Sequence, residues 1–533
     1  MAFPKTLLLL AGFIFSGITG MAQSTIEIIH ADSFPYSKNS NSYQLIGNVQ
    51  LKHDGVFINC DRAIRYNETN QVEAFGHIYI FQPDTFDLMG DELKYDGNTK
   101  IARISKHVFL SDKQMNLTTE SLDYNTQTQT GYYTNNALIL NGPNTLTSKK
   151  GTYNRRGNIF YFKEKVVLTS PEYTMESDTF QYNAFTKTAY FFGPTVIKSA
   201  ENTIVCNSGW YNTITEKSQF SHYATIYSKE NKISADSILY DRKQGIGKAH
   251  GNIEMVDTLE KTTVYGQYGV YNRKTKLTLI TKSPMVKRIM DNDSMYILAD
   301  SLYYFADSFQ RSLKTFHHSR ILQNDFQGSC DSLLYVFSDS VISMYRDPIL
   351  WNENNQITGD TVRIYLKNSK ISFMKVDGNA FIASLVESER YNQISGKTMD
   401  NYFTDNKLRR VKVVGNGESI YYAKENESDS SAYIGINKIV CSEMLISLDS
   451  GKVDNIRFYT KPEGTLYPPK QFPAEESKLK GFTWLIKQKP AYSEFEQRMK
   501  KVVPVVVKTD PALKPLPVKK KTQTKKAPKK SVK

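Results

Sequence analysis

A tyrosine followed by asparagine or aspartate returns along this chain at a fixed interval. Tyr66, Tyr95, Tyr124, Tyr153, Tyr182, Tyr211 and Tyr240 stand 29 residues apart, and Tyr271 follows after 31. Seven places before the tyrosines from Tyr95 onward come Leu88, Leu117, Leu146, Met175, Ile204, Ile233 and Val264, all aliphatic or Met. Four places before them come Asp91, Glu120, Lys149, Asp178, Asn207, Asp236 and Gln267, all polar. Self-similarity at such a period marks an array of repeated supersecondary units, each buried against its neighbours.

Each unit carries a second turn midway between tyrosines: "KHDG" at 52–55, "QPDT" at 82–85, "NGPN" at 141–144, "TSPE" at 169–172, "SAEN" at 199–202 and "SKEN" at 228–231. Pro, Gly, Asp and Asn supply the preset or positive φ angles of turns. Asn or Asp after the tyrosine does the same at the other end. Two turns per unit leave two strands of about ten residues, and such short connections favour an antiparallel meander. The intervening segments, such as "IFYFKEKVVLTS" at 159–170, are rich in β-branched and aromatic residues.

Phase adds a constraint. Leu117 and Leu122, Met175 and Phe180, and Ile233 and Ile238 are five apart, so both members face inward only if the strand bends or bulges between them. Gly47, Gly76, Gly193 and Gly251 mark a matching break in the companion strand. The expected fold is all-β: an elongated antiparallel jelly-roll or solenoid of V-shaped section, built from two-strand repeats of about 29 residues.

The ends of the chain read differently. "TLLLLAGFIFSGITG" after "MAFPK" is a secretory h-region, and Gly20 and Ala22 give a small-x-small cleavage pattern, so 1–22 reads as a signal peptide. Regular repeats fill 23–305, and a second, less regular β lobe with wider spacing fills 306–467. A linker and short helix occupy 468–507. The net charge of +14 is concentrated in 508–533, where ten lysines and one aspartate give +9 in a Lys/Pro-rich segment that buries too little to fold. This is a solvated tail, not a basic face, so no nucleic-acid partner is expected. Its expected roles are solubility and peripheral contact with an anionic membrane surface. Cys60, Cys206 and Cys330 occupy equivalent places in separate repeats, too far apart for disulfides, and read as small buried thiols.

The stretch "ADSFPYSKNSNSYQLIGNVQLKHDGVFINCDRAIRYNETNQVEAFGHIYI" at 31–80 resembles the OstA-like (organic solvent tolerance) family. There a "GNVQL" strand, a turn, an acid-bearing strand and a tyrosine precede "VEAFGHI". Variants of the phrase cover most of 27–305, and "LRRVKVVGNGESIYY" at 408–422 is a further instance. The resemblance implies a periplasmic β jelly-roll whose apolar groove shields the acyl chains of lipid A. It also implies end-to-end contact with other jelly-roll proteins of a lipopolysaccharide-transport bridge, or with itself. The chain is longer than minimal members and carries the basic tail besides.

On this reading the groove is lined by Leu88, Leu117, Leu146, Met175, Ile204, Ile233, Val264 and Ile297, with Val49, Ile78, Ile80, Val108, Leu110 and Val167 on companion strands. Burying hydrocarbon gains ~0.8 kcal/mol per CH₂, which is the force such a trough exploits. Residue identity leaves a filled solenoid core open as the other outcome. A structural periplasmic or surface scaffold without lipid cargo stays open as a function, as does an outer-membrane β-barrel. No catalytic, metal or cofactor site is expected: the acids at 91, 120, 178 and 236 read as an exposed cross-strand ladder. His317–His318, the one histidine pair, lacks companion ligands.

Overall fold

The computed structural model describes residues 24–501 apart from 113–114, 292, 308, 425–431 and 450–451. The expected signal peptide and Lys/Pro tail lie outside the described residues. Within them are 36 strands, two short 3-10 helices and one α-helix. No described helix is long and apolar enough to cross a membrane.

The chain divides into two compact units. One comprises Met1–Lys232, Ser237–Lys248 and Val270–Thr275; the other comprises Ile233–Asp236, Ala249–Gly269 and Lys276–Lys533. The sequence-based division at 305/306 thus falls inside the second unit. In the first, Ser42–His53, Val56–Tyr66, Gln71–Gln82, Phe86–Asp96, Ile101–Ser111 and Asn116–Asn125 pair antiparallel in chain order. The order resumes with Ile159–Thr169, Tyr173–Asn183, Thr188–Ser199, Thr203–Asn212 and Lys217–Tyr227. In the second, strands lengthen to 18 residues in Lys370–Glu387 and Lys407–Lys424. Their register is likewise antiparallel.

The Tyr-Asn/Asp pair has a structural explanation. The Asp96 carboxylate accepts from the backbone N–H of Asn98 and Thr99, closing the turn. Asn125, Asn183, Asn212 and Asn272 do the same for the two N–H groups that lie two and three residues on. The tyrosine before them turns inward: Tyr95, Tyr124 and Tyr153 are no more than 2% exposed. Small residues make room across the strand, since Tyr95 faces Ala102, and Gly131 lies between Tyr124 and Tyr153.

The longest strand pairs of the second unit slip register twice. Each long pair of the first unit slips once, and at every slip but the one at Gly193 two consecutive residues enter the left-handed region. These corners stand at Gly47–Asn48, Gly76–His77, Lys106–His107, Glu164–Lys165, His222–Tyr223 and Gly251–Asn252. A bulge turns the strand and flips its inward phase. Inward Leu117 and Thr119 are therefore followed by inward Leu122 and Tyr124. The two halves of each strand become two walls around one interior.

The polar row braces these corners, and this is its structural role. Asn48 Nδ2 donates to Asp32 Oδ2 at 2.9 Å, His77 Nδ1 lies 2.9 Å from Asp61, and His107 Nδ1 lies 2.7 Å from Asp91. Asn252 Nδ2 reaches Asp236 at 3.1 Å, and Asn379 reaches Asp360 at 3.1 Å. Gly47 has φ +75°, and a Cβ there would stand 2.2 Å from the Asp32 carboxylate. Gly47→Ala is expected to cost about 1–2 kcal/mol for the left-handed conformation alone. Conversely, Lys165→Gly, at φ +55°, is expected to raise stability by about 1 kcal/mol. Urea melts of the two variants check both signs.

The carboxylate of Asp61 holds the His77 imidazole above its ordinary value, and Asp91 does so for His107. A raised folded-state value stabilises fully below the unfolded value and is lost as pH rises through the folded one. The melting temperature of the wild type should therefore fall from below pH 6.5 upward more than that of His77→Asn/His107→Asn. Equal slopes for the two proteins would refute the assignment.

All four cysteines are buried free thiols. Burial pushes Cys60, Cys206 and Cys330 up to about 12, so they pack as apolar groups. Beyond Tyr467, the segment expected as a linker and short helix lies against the strands. Its apolar residues Phe472, Leu479, Phe482 and Trp484 pack on Phe381, Ala383, Ile420 and Tyr422. Two buried glutamines clamp its backbone: Gln393 bonds Ser477 O and Leu479 N, and Gln356 bonds Thr483 O and Leu485 N. The helix Tyr492–Lys501 then plants Phe495 against Met285, Leu298 and Leu322.

Candidate functional site

Strand register converts the aliphatic column into a physical file. In the first unit the cross-strand partners run Leu51, Ile58, Ile80, Leu88, Leu110 and Leu117. They continue through Ile139, Leu146, Leu168, Met175, Ile197, Ile204 and Ile226. Each member faces the next directly, so the file has no gap. A second file in the other unit runs Val264, Val286, Ile297 and Ile321, then passes Gly328 to Leu350, Ile357, Ile382 and Ile394.

Accessibility changes along the first file. Leu51, Ile58, Ile80, Leu88 and Leu117 are 0% exposed and Leu110 is 1%. Ile139 and Leu146 loosen to 5% and 6%, after which Leu168, Ile197, Ile204 and Ile226 are partly exposed, with Met175 among them at 3%. The second file is closed at Val264, Val286, Ile297, Ile321, Leu350, Ile357 and Ile382 and becomes partly exposed at Ile394.

Of the residues expected from sequence, Ile80, Leu88, Leu110, Leu117, Leu146, Met175 and Ile204 lie on the first file. Val264 and Ile297 lie on the second, and Ile233 is partly buried against that unit's core. Val49, Ile78 and Val108 form an adjoining inward row next to the corners, opposite Cys60, Gly90 and Thr119. Val167 departs from expectation. It pairs with Thr147 and Glu176, both exposed, while Val166 and Leu168 turn inward. The corner at Glu164–Lys165 sets that phase without a glycine to announce it. Leu51, Ile58, Ile139, Leu168, Ile197 and Ile226 were missed; pairing each tyrosine-anchored site across its turns finds them.

Ties between opposite strand ends decide where the file is closed. Tyr95 sits at the tyrosine end of its strand, His53 at the other end of a neighbour, and the hydroxyl lies 2.7 Å from His53 Nδ1. Both are 2% exposed, and burial pushes the Tyr95 phenol up to about 12. Tyr153 donates to the buried Asp112 in the same way, and its phenol is pushed up by burial and by that carboxylate. Phe86 meets Tyr124 with ring centroids 4.7 Å apart, and Arg155 reaches the Thr85 carbonyl. In the second unit Tyr304 donates to Asp257 at 2.7 Å, and Arg311 Nε stands 3.0 Å from the same carboxylate. Between 159 and 248 the corresponding tie is an exposed ion pair, Arg242 Nη1 to Glu172 Oε2 at 2.8 Å. Such pairs contribute ~0–1 kcal/mol.

The nearest acids and histidines are engaged at corners and rims, and among the described residues no three His, Cys, Asp or Glu side chains gather in a metal-holding group.

These features define a class: an antiparallel, cornered β array whose two walls enclose a continuous aliphatic file. Residues 23–178 match the family model described as OstA-like protein. Among solved structures, the chain is similar to LptH from Pseudomonas aeruginosa, the LptA-homologous periplasmic component of the lipopolysaccharide-transport device. That match has 15% identity and a TM-score of 0.20, and covers 22% of this chain and 82% of LptH. No curated protein matches.

Proposed function

We propose that this chain is a non-enzymatic, exported periplasmic protein of outer-membrane biogenesis that shields lipopolysaccharide acyl chains along its aliphatic file. The observation that carries the reading is the file's continuity, together with its partial exposure at Leu168, Ile197, Ile204 and Ile226. A hydrocarbon chain laid there meets one aliphatic side chain per strand, and strands are ~4.8 Å apart. Contact is therefore continuous without a deep pocket, which suits a cargo that must move on. The OstA-like segment supports lipid A as the cargo class. Other jelly-roll proteins of a transport bridge, pairing on free sheet edges, are the partners this reading implies.

A rigid scaffold is the second reading, and the closed file from Leu51 to Leu117 favours it for that stretch. Depletion in the native cell separates the two. A carrier predicts lipopolysaccharide stalled at the inner membrane within a few generations; normal lipopolysaccharide delivery with loss of envelope stiffness selects the scaffold. The basic tail is proposed to contact envelope anions, and removing 508–533 should then lower envelope association at low salt.

A further inference from the structure

The ties that close the first unit recur in register, and one member of the series differs in kind. Arg155 reaches Thr85, and Arg242 reaches Glu172; the second pair is the first moved on by 87 residues at both positions, three repeats of 29. The positions of the ring pair Phe86–Tyr124 recur with the same offset as Tyr173 and Tyr211, which lie near enough for Tyr211 to act on the Tyr173 phenol. The Arg242 guanidinium in turn lies close to Tyr211. In the earlier copy the surroundings are locked by buried groups: Tyr124 is 0% exposed, Tyr153 1%, and Asp112 4%. In the later copy Tyr173 and Tyr211 are only partly buried, and the ion-pair side chains are 49% and 64% exposed. Beneath it lie the partly exposed members of the file, Leu168, Ile197, Ile204 and Ile226.

We propose that this stretch is a side port for acyl chains and that Glu172–Arg242 is its latch. The proposal rests on the acyl-shielding reading above and adds where and how chains enter. Entry at the amino-terminal end of the file is blocked. Ile26 is 2% exposed there, and the Ser24 carbonyl, His53, Asn70 and Lys100 fill that end with hydrogen bonds. On this proposal a chain reaches the first unit's file through the wall between 168 and 226, where Leu168, Ile197, Ile204 and Ile226 are partly exposed. There the strand ends are joined by an exposed ion pair instead of buried tyrosine hydroxyls. A solvent-exposed pair opens and recloses readily and weakens with salt. Opening it loosens the strand ends that carry Glu172 and Arg242 and uncovers a file that is already aliphatic. The remaining ties keep the rest of the section closed, so opening is local.

The test uses the full-length chain, cis-parinaric acid as an 18-carbon probe that fluoresces when desolvated, and amide hydrogen exchange. Arg242→Glu places two carboxylates at the latch. It should speed probe uptake roughly three- to tenfold and speed exchange at 168–175 and 240–246 while leaving 86–125 unchanged. The double reversal Glu172→Arg/Arg242→Glu should restore both. Unchanged exchange at the latch, or a reversal that fails to restore it, overturns the latch whether or not probe binds. Faster exchange with no probe uptake by any variant overturns the acyl reading and the port with it, while the ion pair survives as a structural tie. Slower uptake by Arg242→Glu also overturns the port, since it makes the arginine a headgroup ligand.

Discussion

Leu117→Asp is expected to unfold the first unit, whereas Ile204→Asp leaves it folded and abolishes acyl-probe binding. Both residues occupy the same place in the repeat and the same file. Leu117 is 0% exposed between Leu110 and Ile139, so its replacement drives a carboxylate into a closed core. Burying such a group without a partner costs several kcal/mol or forces protonation, a large part of the 5–15 kcal/mol by which domains are stable. Ile204 lies between Ile197 and Ile226, all three partly exposed, so a carboxylate there keeps some water. Truncation shows the same contrast: about 3 kcal/mol for Leu117→Ala against roughly 1 kcal/mol for Ile204→Ala. Circular dichroism melts measure it. Equal losses at the two sites would mean that the file is uniformly closed.

Asp257→Ala should destabilise the second unit by about 3–5 kcal/mol, comparable to breaking other buried ion pairs from one side. Asp257 is 1% exposed and accepts from both Tyr304 and Arg311. Removing it takes the carboxylate from a guanidinium whose side chain is only 13% exposed, where little solvent can replace it. Tyr304→Phe removes one hydrogen bond and leaves the ion pair, so it should cost about 1 kcal/mol. A loss of under 1 kcal/mol for Asp257→Ala would show that the tie contributes little, and that the second file is closed by packing alone.

The repeat exposed a good deal of this. Tyr-Asn/Asp located one turn and the Gly/Pro/Asn clusters the other, because both depend on residues adjacent in sequence. The five-residue phase clash between sites such as Leu117 and Leu122 required a bulge, and the bulges stand at Gly47, Gly76, Gly193 and Gly251. Corners at Lys106–His107, Glu164–Lys165 and His222–Tyr223 left no such mark. There the left-handed backbone is imposed by neighbouring repeats that have already turned, so tertiary packing overrides local preference. Val167 was placed inward for that reason, one residue out of phase.

Whether the file is open or closed was not legible at all. It depends on ties such as Tyr95 to His53, Tyr153 to Asp112 and Arg242 to Glu172, whose partners lie 42, 41 and 70 residues apart. The repeat names one end of each tie and is silent on the other. The packed segment after Tyr467 was hidden similarly. "PPKQFPAEESK" reads as a linker, and only Gln356 and Gln393 on distant strands show why it is held.

The central claim is that hydrocarbon reaches the file where it is partly exposed and nowhere that it is closed. Photo-crosslinking in living cells, with benzoylphenylalanine placed singly at Ile197, Ile204, Leu88 and Leu117, tests it most directly. The account predicts lipopolysaccharide adducts from 197 and 204 and none from 88 or 117 in folded protein. Absence of adduct at all four positions, or equal labelling at the closed and open ones, would contradict it.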